Sequence, residues 1–448
     1  MSNSLIVLAA GMGTRMNSDL PKVLHKIAGA PLVVHAMKSG EALGLDHTVV
    51  VVGHGGEAVE AAVKDWNPDA VVVTQEEQLG TGHAALQARE ALAGIEGNAF
   101  VAFGDTPFIR PETLQSMLDA RATHDVIVLG FEVYDPTVRY GRLITDGDNL
   151  TGIVEFKDAT EAQREIPLCN SGVICVDTQL LFSLLDEVGN DNASGEYYLP
   201  DIVGIARNRG LSATVVRCDE AETLGINTRA ELARAEQMFQ NAMRAEAMEN
   251  GVTLHAPETV IFAHDTVIGR DAIIEPNVVF GPRVTVESNA TIRAFSHLEG
   301  CHVSRGSTVG PFARLRPGAE LNEDVHIGNF VEIKNATIDE GAKVNHLTYI
   351  GDAFIGKKTN VGAGTITCNY DGVFKHKTTI GANSFIGSAT MLVAPVTVGN
   401  NAMTATGTVV TKDIPDGAMA IARTKQENKA GFAVKLFEML KAKKAKGS

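Results

Sequence analysis

Two sets of residues have types and spacings that could do chemistry. The first follows the opening apolar run: Gly11-Met12-Gly13-Thr14-Arg15-Met16, then Asn17-Ser18-Asp19-Leu20-Pro21-Lys22. Glycines placed just after a strand let backbone N–H groups approach phosphate oxygens, and Arg15 and Lys22 add two cations to the same loop. This is no dinucleotide fingerprint, because Met16 stands where the third glycine should be, and no P-loop, because Gly-Lys-Ser/Thr is missing. A glycine-rich turn with surface cations is the bland alternative. The second set lies far downstream: Arg316 and Lys334, with Glu332, His346 and Tyr349. A near-neutral imidazole is suited to take a proton from an amine as it attacks an acyl group. Alone, each of these is equally a solvated or structural side chain; the case rests on whether the fold gathers them.

The elements that must position them differ in kind. Through about residue 225, short apolar runs (Leu5–Ala10, Thr48–Val52, Ala70–Val73, Ala99–Phe103, Val126–Phe131) alternate with helix-length segments. Unbroken apolar strands suit a parallel sheet covered on both faces, with ligands at the C-terminal strand ends, a Rossmann-like α/β domain. Residues 229–250 read as one helix, with a capping box at Thr228-Arg229-Ala230-Glu231 and a stop at Gly251. At 1.5 Å per residue it spans about 33 Å, a semi-rigid arm. From Phe262 the period becomes six: Phe262, Ile268, Ile274, Phe280, Val286, Ile292 and Leu298. After a shortened step come Val303, Val309, Leu315, Leu321, Ile327 and Ile333, then Ile338, Val344, Ile350, then Ile355 and Val361. After a break at Thr367–Thr379 the marks return at Ile380, Ile386, Leu392 and Val398. One buried apolar site per six residues is the signature of a parallel β-helix, which neither α-helical nor simple strand periodicity explains. The domains are thus 1–227, a linking helix 228–251, and 252–448.

The six-residue register places side chains. Arg316 and Lys334 each follow a mark and are separated by three whole hexads, so they share a column on adjacent coils, about 4.8 Å apart. Stacked cations repel, and a phosphate is their natural tenant. Gly351 is next in that column and leaves open space. Glu332 falls one coil from Tyr349, with His346 nearby. Snorkelling on a solvated face is the bland alternative for the cations. Cys368, in the break, reads as a small buried residue rather than a nucleophile.

Further motifs make the first half similar to the nucleoside-triphosphate:sugar-1-phosphate nucleotidyltransferases, marked by Gly-x-Gly-Thr-x-Met and then Pro-Lys. The resemblance implies a role for Arg15 and Lys22 in catalysis. Gln75…Gln78-Leu79-Gly80-Thr81-Gly82 resembles the family's base-reading segment. Phe103-Gly104-Asp105 resembles the turn that carries its metal-binding aspartate, and Asn227 the second metal ligand. Mg²⁺ takes few oxygens from protein and the rest from phosphate and water, which suits that pair. An Asp capping a loop and an Asn capping a helix are the alternatives. Tyr140-Gly141-Arg142, Glu155-Phe156-Lys157 and Asn170-Ser171-Gly172 resemble sugar-binding turns. The implied nucleotide and nucleotide-sugar contacts are Leu8, Ala9, Ala10, Gly11, Gly13, Lys22, Gln75, Gly80, Thr81, Phe103, Gly141, Glu155, Asn170 and Asn227. Phe103 departs from the family's usual Tyr.

The second half resembles the family of bacterial bifunctional N-acetylglucosamine-1-phosphate uridyltransferases/glucosamine-1-phosphate acetyltransferases. The words that carry it are Gly310-Pro311-Phe312-Ala313-Arg314-Leu315-Arg316-Pro317-Gly318-Ala319, His346-Leu347-Thr348-Tyr349 and Asn360-Val361-Gly362-Ala363-Gly364-Thr365, running on to Asn369-Tyr370-Asp371-Gly372. The resemblance covers nearly the whole chain. It implies a left-handed coil, His346 as general base, and Arg316, Lys334, Tyr349, Asn360 and Lys375 as sugar-phosphate ligands. It implies acetyl-CoA contacts at Ala363, Asn369, Tyr370, Ser388, Thr406 (often Ala in relatives) and Arg423. It also implies a homotrimer whose acetyl site draws on more than one chain. The expected sequence of reactions is acetyl transfer from acetyl-CoA to glucosamine 1-phosphate, then uridylyl transfer from UTP with loss of pyrophosphate. A single-activity nucleotidyltransferase with a regulatory or oligomerising solenoid, and a non-catalytic assembly subunit, are the competing functions. The first has no need of the rear constellation; the second would expect damage to Gly11–Lys22 or Asp105.

Composition narrows the field. A formal charge of -15 argues against nucleic acid as a general partner. Cys169, Cys175, Cys218, Cys301 and Cys368 are odd in number and lack CxxC spacing, so they read as free thiols of a reducing cytoplasm. No basic leader and no membrane-length apolar run is present. The lysine-rich stretch Lys435–Lys446 reads as a solvated end or as an attraction for anionic coenzyme A.

Overall fold

The strand β1 (Ser2–Ala9) is buried along nearly its whole length, as expected of an apolar run covered on both faces. It pairs in parallel with β2 (His47–Gly53) and β4 (Gly97–Phe103), and β3 (Val71–Gln75) extends the sheet beyond β2. The computed structural model describes residues 2–446 apart from 54 and 193, and it divides the chain into two compact units, Met1–Ala242 and Met243–Ser448.

The front sheet is mixed rather than wholly parallel. On the far side of β4 lies β8 (Leu168–Asp177), antiparallel to both β4 and β5 (Val126–Glu132), with β9 (Ala213–Cys218) parallel to β5 at the edge. The order is β9-β5-β8-β4-β1-β2-β3. A hairpin, β6 (Arg142–Asp146) and β7 (Asn149–Val154), attaches to β8 through Cys169 and Arg142. β8 follows the β6–β7 hairpin and one short helical turn, Glu161–Arg164, and it enters in the opposite sense. Helices α1 (Leu32–Leu43), α2 (Glu57–Trp66), α3 (Thr81–Leu86), α4 (Pro111–Ala120), α5 (Thr178–Leu185) and α6 (Asp201–Asn208) belong to this unit. They pack into two cores that draw alternate residues of β1: Ile6 and Leu8 in one, Leu5 and Val7 in the other.

Helix α7 (Arg229–Glu249) begins with the capping box: Glu231 N–H donates to Thr228 Oγ1 at 3.2 Å and Thr228 N–H to Glu231 Oε2 at 2.9 Å. It ends at Gly251, whose φ of 87° is open to glycine at little cost. The boundary between the compact units falls inside this helix.

In the rear unit every third strand pairs in parallel, so three hexads close one triangular coil. Ile268 stands against Val286, Ile274 against Ile292 and Phe280 against Leu298. The marked residues form one continuous core, with Ile268 packed at its edge. Where the sequence drops a beat, the coil shortens by one residue without losing register: Val286 meets Val303, and Ile338 meets Ile355. Two longer strands, β10 (His326–Ile338) and β11 (Lys343–Ile355), run side by side through the middle of the solenoid. The corner residues Phe295, Phe312, Phe330 and Leu347 all take positive φ, and the three rings stack at 5.0 and 5.4 Å. Residues 432–446 form helix α8 (Phe432–Lys446), exposed throughout. Among the described residues no helix is long and apolar enough to cross a membrane.

Candidate active sites

The front site is assembled at the C-terminal ends of β1, β3 and β4. Gly13 has φ 60°, and a Cβ there would lie 2.4 Å from the Cβ of Lys22, so only glycine lets the loop fold back on that lysine. Lys22 Nζ forms a salt bridge with Asp105 and donates to Asn227 Oδ1 at 2.9 Å. Arg15 donates to the same Asn227 oxygen at 2.9 Å. Ile226 N–H donates to Asp105 O at 3.0 Å, which ties the Asn227 segment to the end of β4. Two side-chain oxygens from distant parts of the chain thus converge on one ammonium. That convergence fits a small oxygen-seeking cation with few protein ligands. Among the described residues no cluster of three or more His, Cys, Asp or Glu offers an alternative metal site.

Beside this cluster is a cavity of about 280 Å³ lined by Leu8, Ala9, Ala10, Gly11, Lys22, Gln75, Gly80, Thr81, Phe103 and Asp105. Its lining also includes Gln78 of the base-reading segment and three residues without a sequence signal, Val23, Ala84 and Glu196. Gln78 Nε2 donates to Ala10 O at 2.5 Å, joining the two loops. A Cβ on Gly80 would meet the Tyr197 carbonyl at 2.6 Å, and Gly82 N–H donates to that carbonyl at 2.8 Å. Only long-range packing reveals this support from residues 196–199.

Gly141, Glu155 and Asn170 form a separate group. A Cβ on Gly141 would lie 3.1 Å from Glu155 Oε1, and Asn170 N–H donates to Gly141 O at 2.8 Å. Burial, with Asp158 and Asp201 nearby, pushes the Glu155 carboxyl up. Phe103 links the two groups, because Gly172 packs directly on its ring.

In the rear unit the register places Glu332 opposite Tyr349 and Lys334 opposite Gly351, and Arg316 N–H donates to Ile333 O one residue from Lys334. Three expectations change. Arg316 already has an anion, since Nη1 donates to Glu332 Oε1 at 2.8 Å. Glu332 therefore serves Arg316, and His346 Nδ1 lies 2.9 Å from Asn329 Oδ1, a partner absent from the sequence argument although the register sets Asn329 opposite His346. Gly351 does not leave empty space: a Cβ there would meet the Tyr349 hydroxyl at 2.3 Å and Asn369 Nδ2 at 2.9 Å. Cys368 is half-buried rather than fully buried, and burial raises its thiol.

Lys375 reaches back from the break to Lys334. The closeness and like charge of Lys375, with Arg316 adding to it, push the Lys334 ammonium below its usual range. Asn369 sits with Tyr349 and Asp352. Asn360 stands on another face, in the column of His326, Lys343 and Phe385, with His346 near the corner between the faces. Ala363, Ser388 and Thr406 form one column on successive coils: Ala389 N–H donates to Ala363 O at 2.7 Å and Gly407 N–H to Ser388 O at 2.8 Å. Arg423 closes that column by donating to Thr406 O at 2.8 Å. Tyr370 is exposed on the excursion from the solenoid.

Comparison with known proteins agrees with this division. The MobA-like NTP transferase domain matches residues 5–152, and the bacterial transferase hexapeptide (six repeats) matches residues 265–300. Fold and sites together define a transferase of two parts, a Rossmann-like nucleotidyltransferase and a left-handed parallel β-helix. The chain is 67% identical over 445 residues to the Bifunctional protein GlmU of Ruegeria sp. (strain TM1040), covering 99% of each chain. It is 67% identical to that of Ruegeria pomeroyi, again over 99% of each, and 66% identical to that of Dinoroseobacter shibae, over the whole of both. The chain belongs to the bifunctional GlmU family and is an enzyme with acetyltransferase and uridyltransferase functions.

Proposed function

We propose that the rear site moves the acetyl group of acetyl-CoA to the amine of glucosamine 1-phosphate, and that the front site couples the product to UTP, releasing pyrophosphate and UDP-N-acetylglucosamine. The observation that carries the front assignment is the convergence of Lys22, Arg15, Asp105 and Asn227 beside a cavity reached by Gln75 and Gly80. Asp105 and Asn227 would hold Mg²⁺, which when bound neutralises phosphate charge. Lys22 and Arg15, released from those oxygens, face the triphosphate, and backbone N–H groups of the Gly11–Gly13 loop take phosphate oxygens. The sugar phosphate oxygen attacks the α-phosphorus and the bond to pyrophosphate breaks; the chain's part is alignment and charge stabilisation. Leu8, Ala9, Ala10, Thr81 and Phe103 shape the nucleotide pocket, and Gly141, Glu155 and Asn170 receive the sugar.

In the rear site His346 donates through Nδ1 to Asn329, which leaves the Nε2 lone pair to take the proton of the attacking amine. Arg316, Lys334 and Lys375 face the sugar phosphate, with Tyr349 and Asn360 on the sugar, while Ala363, Asn369, Tyr370, Ser388, Thr406 and Arg423 take the coenzyme. Asn360 lies on a different face from Lys334, which favours a homotrimer in which two chains complete one site. The caps of α7 support domain limits of 1–227, 228–251 and 252–448, and five free cysteines suit the cytoplasm.

The test separates the activities. Coenzyme A release with glucosamine 1-phosphate is measured for the intact protein and His346→Ala, and pyrophosphate release with UTP for the intact protein and Asp105→Ala. Each variant is expected to lose only its own reaction. No coenzyme A release from intact protein that still consumes UTP would overturn the rear assignment; equal loss of both reactions in each variant would mean the sites are misplaced.

A further inference from the structure

Gln75 ends β3 with its side chain only 3% exposed, yet it lines the front cavity. Its Nε2 donates to Gly80 O at 3.2 Å and lies 2.9 Å from His83 Nδ1. A peptide carbonyl can only accept, so the Gly80 contact decides which end of the amide is nitrogen. Both amide protons are then engaged, and Oε1 is the polar atom left for the cavity.

His83, on α3, is contested from its other side. Gln87 Nε2 lies 3.2 Å from His83 Nε2 and 3.0 Å from His83 O. A neutral imidazole has one acceptor nitrogen, so the two amides cannot both donate to it. Turning the Gln75 amide would bring the oxygen of this buried side chain against the Gly80 carbonyl, and an opposed pair is costly where little water reaches it. Turning the Gln87 amide gives up its bond to His83 O, but Gln87 is half-buried and water can take that carbonyl, so this is the cheaper of the two changes. The ring proton therefore sits on Nε2, and Nδ1 accepts from Gln75. His83 also stands beside the Tyr197 ring, 6.4 Å between centroids, which limits its movement.

We infer that His83 is a specificity-determining positioning residue: by accepting from Gln75 it holds that amide with Oε1 toward the nucleotide base, so the pocket offers a fixed acceptor. This rests on the front site being the UTP site. A fixed acceptor pairs with the N3–H of uracil and opposes the N3 lone pair of cytosine. An amide free to turn serves either base. The Gly80 contact at 3.2 Å sets the sense of the amide and the His83 contact at 2.9 Å doubles its hold; without His83 only the longer of the two remains.

The experiment measures kcat/KM for pyrophosphate release with UTP and with CTP in the intact enzyme, His83→Leu and His83→Asn, alongside coenzyme A release as a check on the rest of the chain. Leu removes the acceptor; Asn can place Oδ1 near the Nδ1 position. The UTP-to-CTP ratio is expected to fall about five- to tenfold in His83→Leu, the scale of one net hydrogen bond, and to stay within about twofold in His83→Asn. The ratio does not depend on how much enzyme is folded. An unchanged ratio in His83→Leu, even with both rates lowered together, would overturn the inference and leave His83 as packing. An intact enzyme that used CTP as well as UTP while still making pyrophosphate would instead overturn the UTP reading itself, and this inference with it.

Discussion

The two units build their sites by opposite means. In the front unit, Lys22, Asp105 and Asn227 are separated by as many as 205 positions in sequence and meet because three strand ends and one helix cap converge. In the rear unit, neighbours come from register: Glu332 meets Tyr349, Asn329 meets His346 and Lys334 meets Gly351 simply because each stands one coil from the other. The charges differ too. The front cations are held by Asp105 and Asn227, so ligand must exchange with internal partners. In the rear, Arg316 has Glu332, while Lys334 and Lys375 crowd one another strongly enough to depress the Lys334 ammonium. One site trades ion pairs on binding; the other relieves a repulsion.

The largest effect that would break this contrast is expected from Lys22→Ala. If Lys22 stabilises developing phosphate charge, pyrophosphate release falls about 10²-fold or more, and coenzyme A release is unchanged. A drop below about fivefold would mean that Asp105 and Asn227, freed of their ammonium, manage the charge without it.

The same contrast explains what was legible in sequence. A six-residue period carries its own three-dimensional map, so the columns of Arg316, Lys334 and Gly351 and of Glu332 and Tyr349 followed from counting. Counting gives neighbours but not rotamers. Glu332 turned to Arg316 rather than toward His346, and Tyr349 folded its hydroxyl over Gly351. Asn329 stands one coil from His346 by the same arithmetic, but a neutral amide carries no charge or periodicity to mark it as a partner. In the front unit the Gly11–Lys22 loop and the buried strands were visible locally. The reversed direction of β8 was not, because an apolar run such as Val173–Val176 looks the same whichever way it enters a sheet. Glu196 and His83 were invisible for a related reason: they act through contacts that no local pattern encodes.

A smaller perturbation sharpens the rear site. Asn329→Ala removes the acceptor that fixes the His346 ring, and leaves the imidazole in place. Acetyl transfer is expected to slow about tenfold in kcat with KM for acetyl-CoA unchanged, the pattern of an interaction that matters in the transition state. Restoration by Asn329→Asp, whose oxygen accepts at the same place, separates ring orientation from general loss of packing. Equal loss in both variants would point instead to the corner between the two faces.

Gly351→Ala tests whether a solenoid column is a site or merely a stack. The added methyl must displace the Tyr349 hydroxyl and the Asn369 amide, which lie 2.3 and 2.9 Å from its position. If Tyr349 binds the sugar phosphate, KM for glucosamine 1-phosphate rises about tenfold and the uridylyl reaction keeps its rate. If only stability changes, by about 1–3 kcal/mol as for an overpacked core, the column is structural at that level.

The smallest effect concerns the excursion at residues 369–377, which carries Lys375 out of the register that fixes everything else. Asp371 accepts from the N–H groups of Val373 and Phe374 at 2.8 and 2.7 Å, and its other oxygen lies 2.7 Å from His376 Nε2. The His376 contact, then the two N–H groups, hold its carboxyl down at about 2, below the ordinary value of 3.8. A carboxyl depressed in the folded state contributes stability that is full above its unfolded value and is lost as pH falls through the folded one. The loop is therefore expected to keep its order at pH 5 and to loosen only between about pH 4 and pH 2, followed by limited proteolysis at Phe374 with an acid protease. Asp371→Asn keeps an acceptor for the two N–H groups and gives up the charge; Asp371→Ala gives up both. Cleavage should rise in the order native, Asn, Ala, with the Asn variant losing most of the dependence between pH 4 and pH 2. If native and Asn variants showed the same acid profile, the loop would be held by its backbone turn alone, and Lys375 would owe its place beside Lys334 to the chain path rather than to a charge.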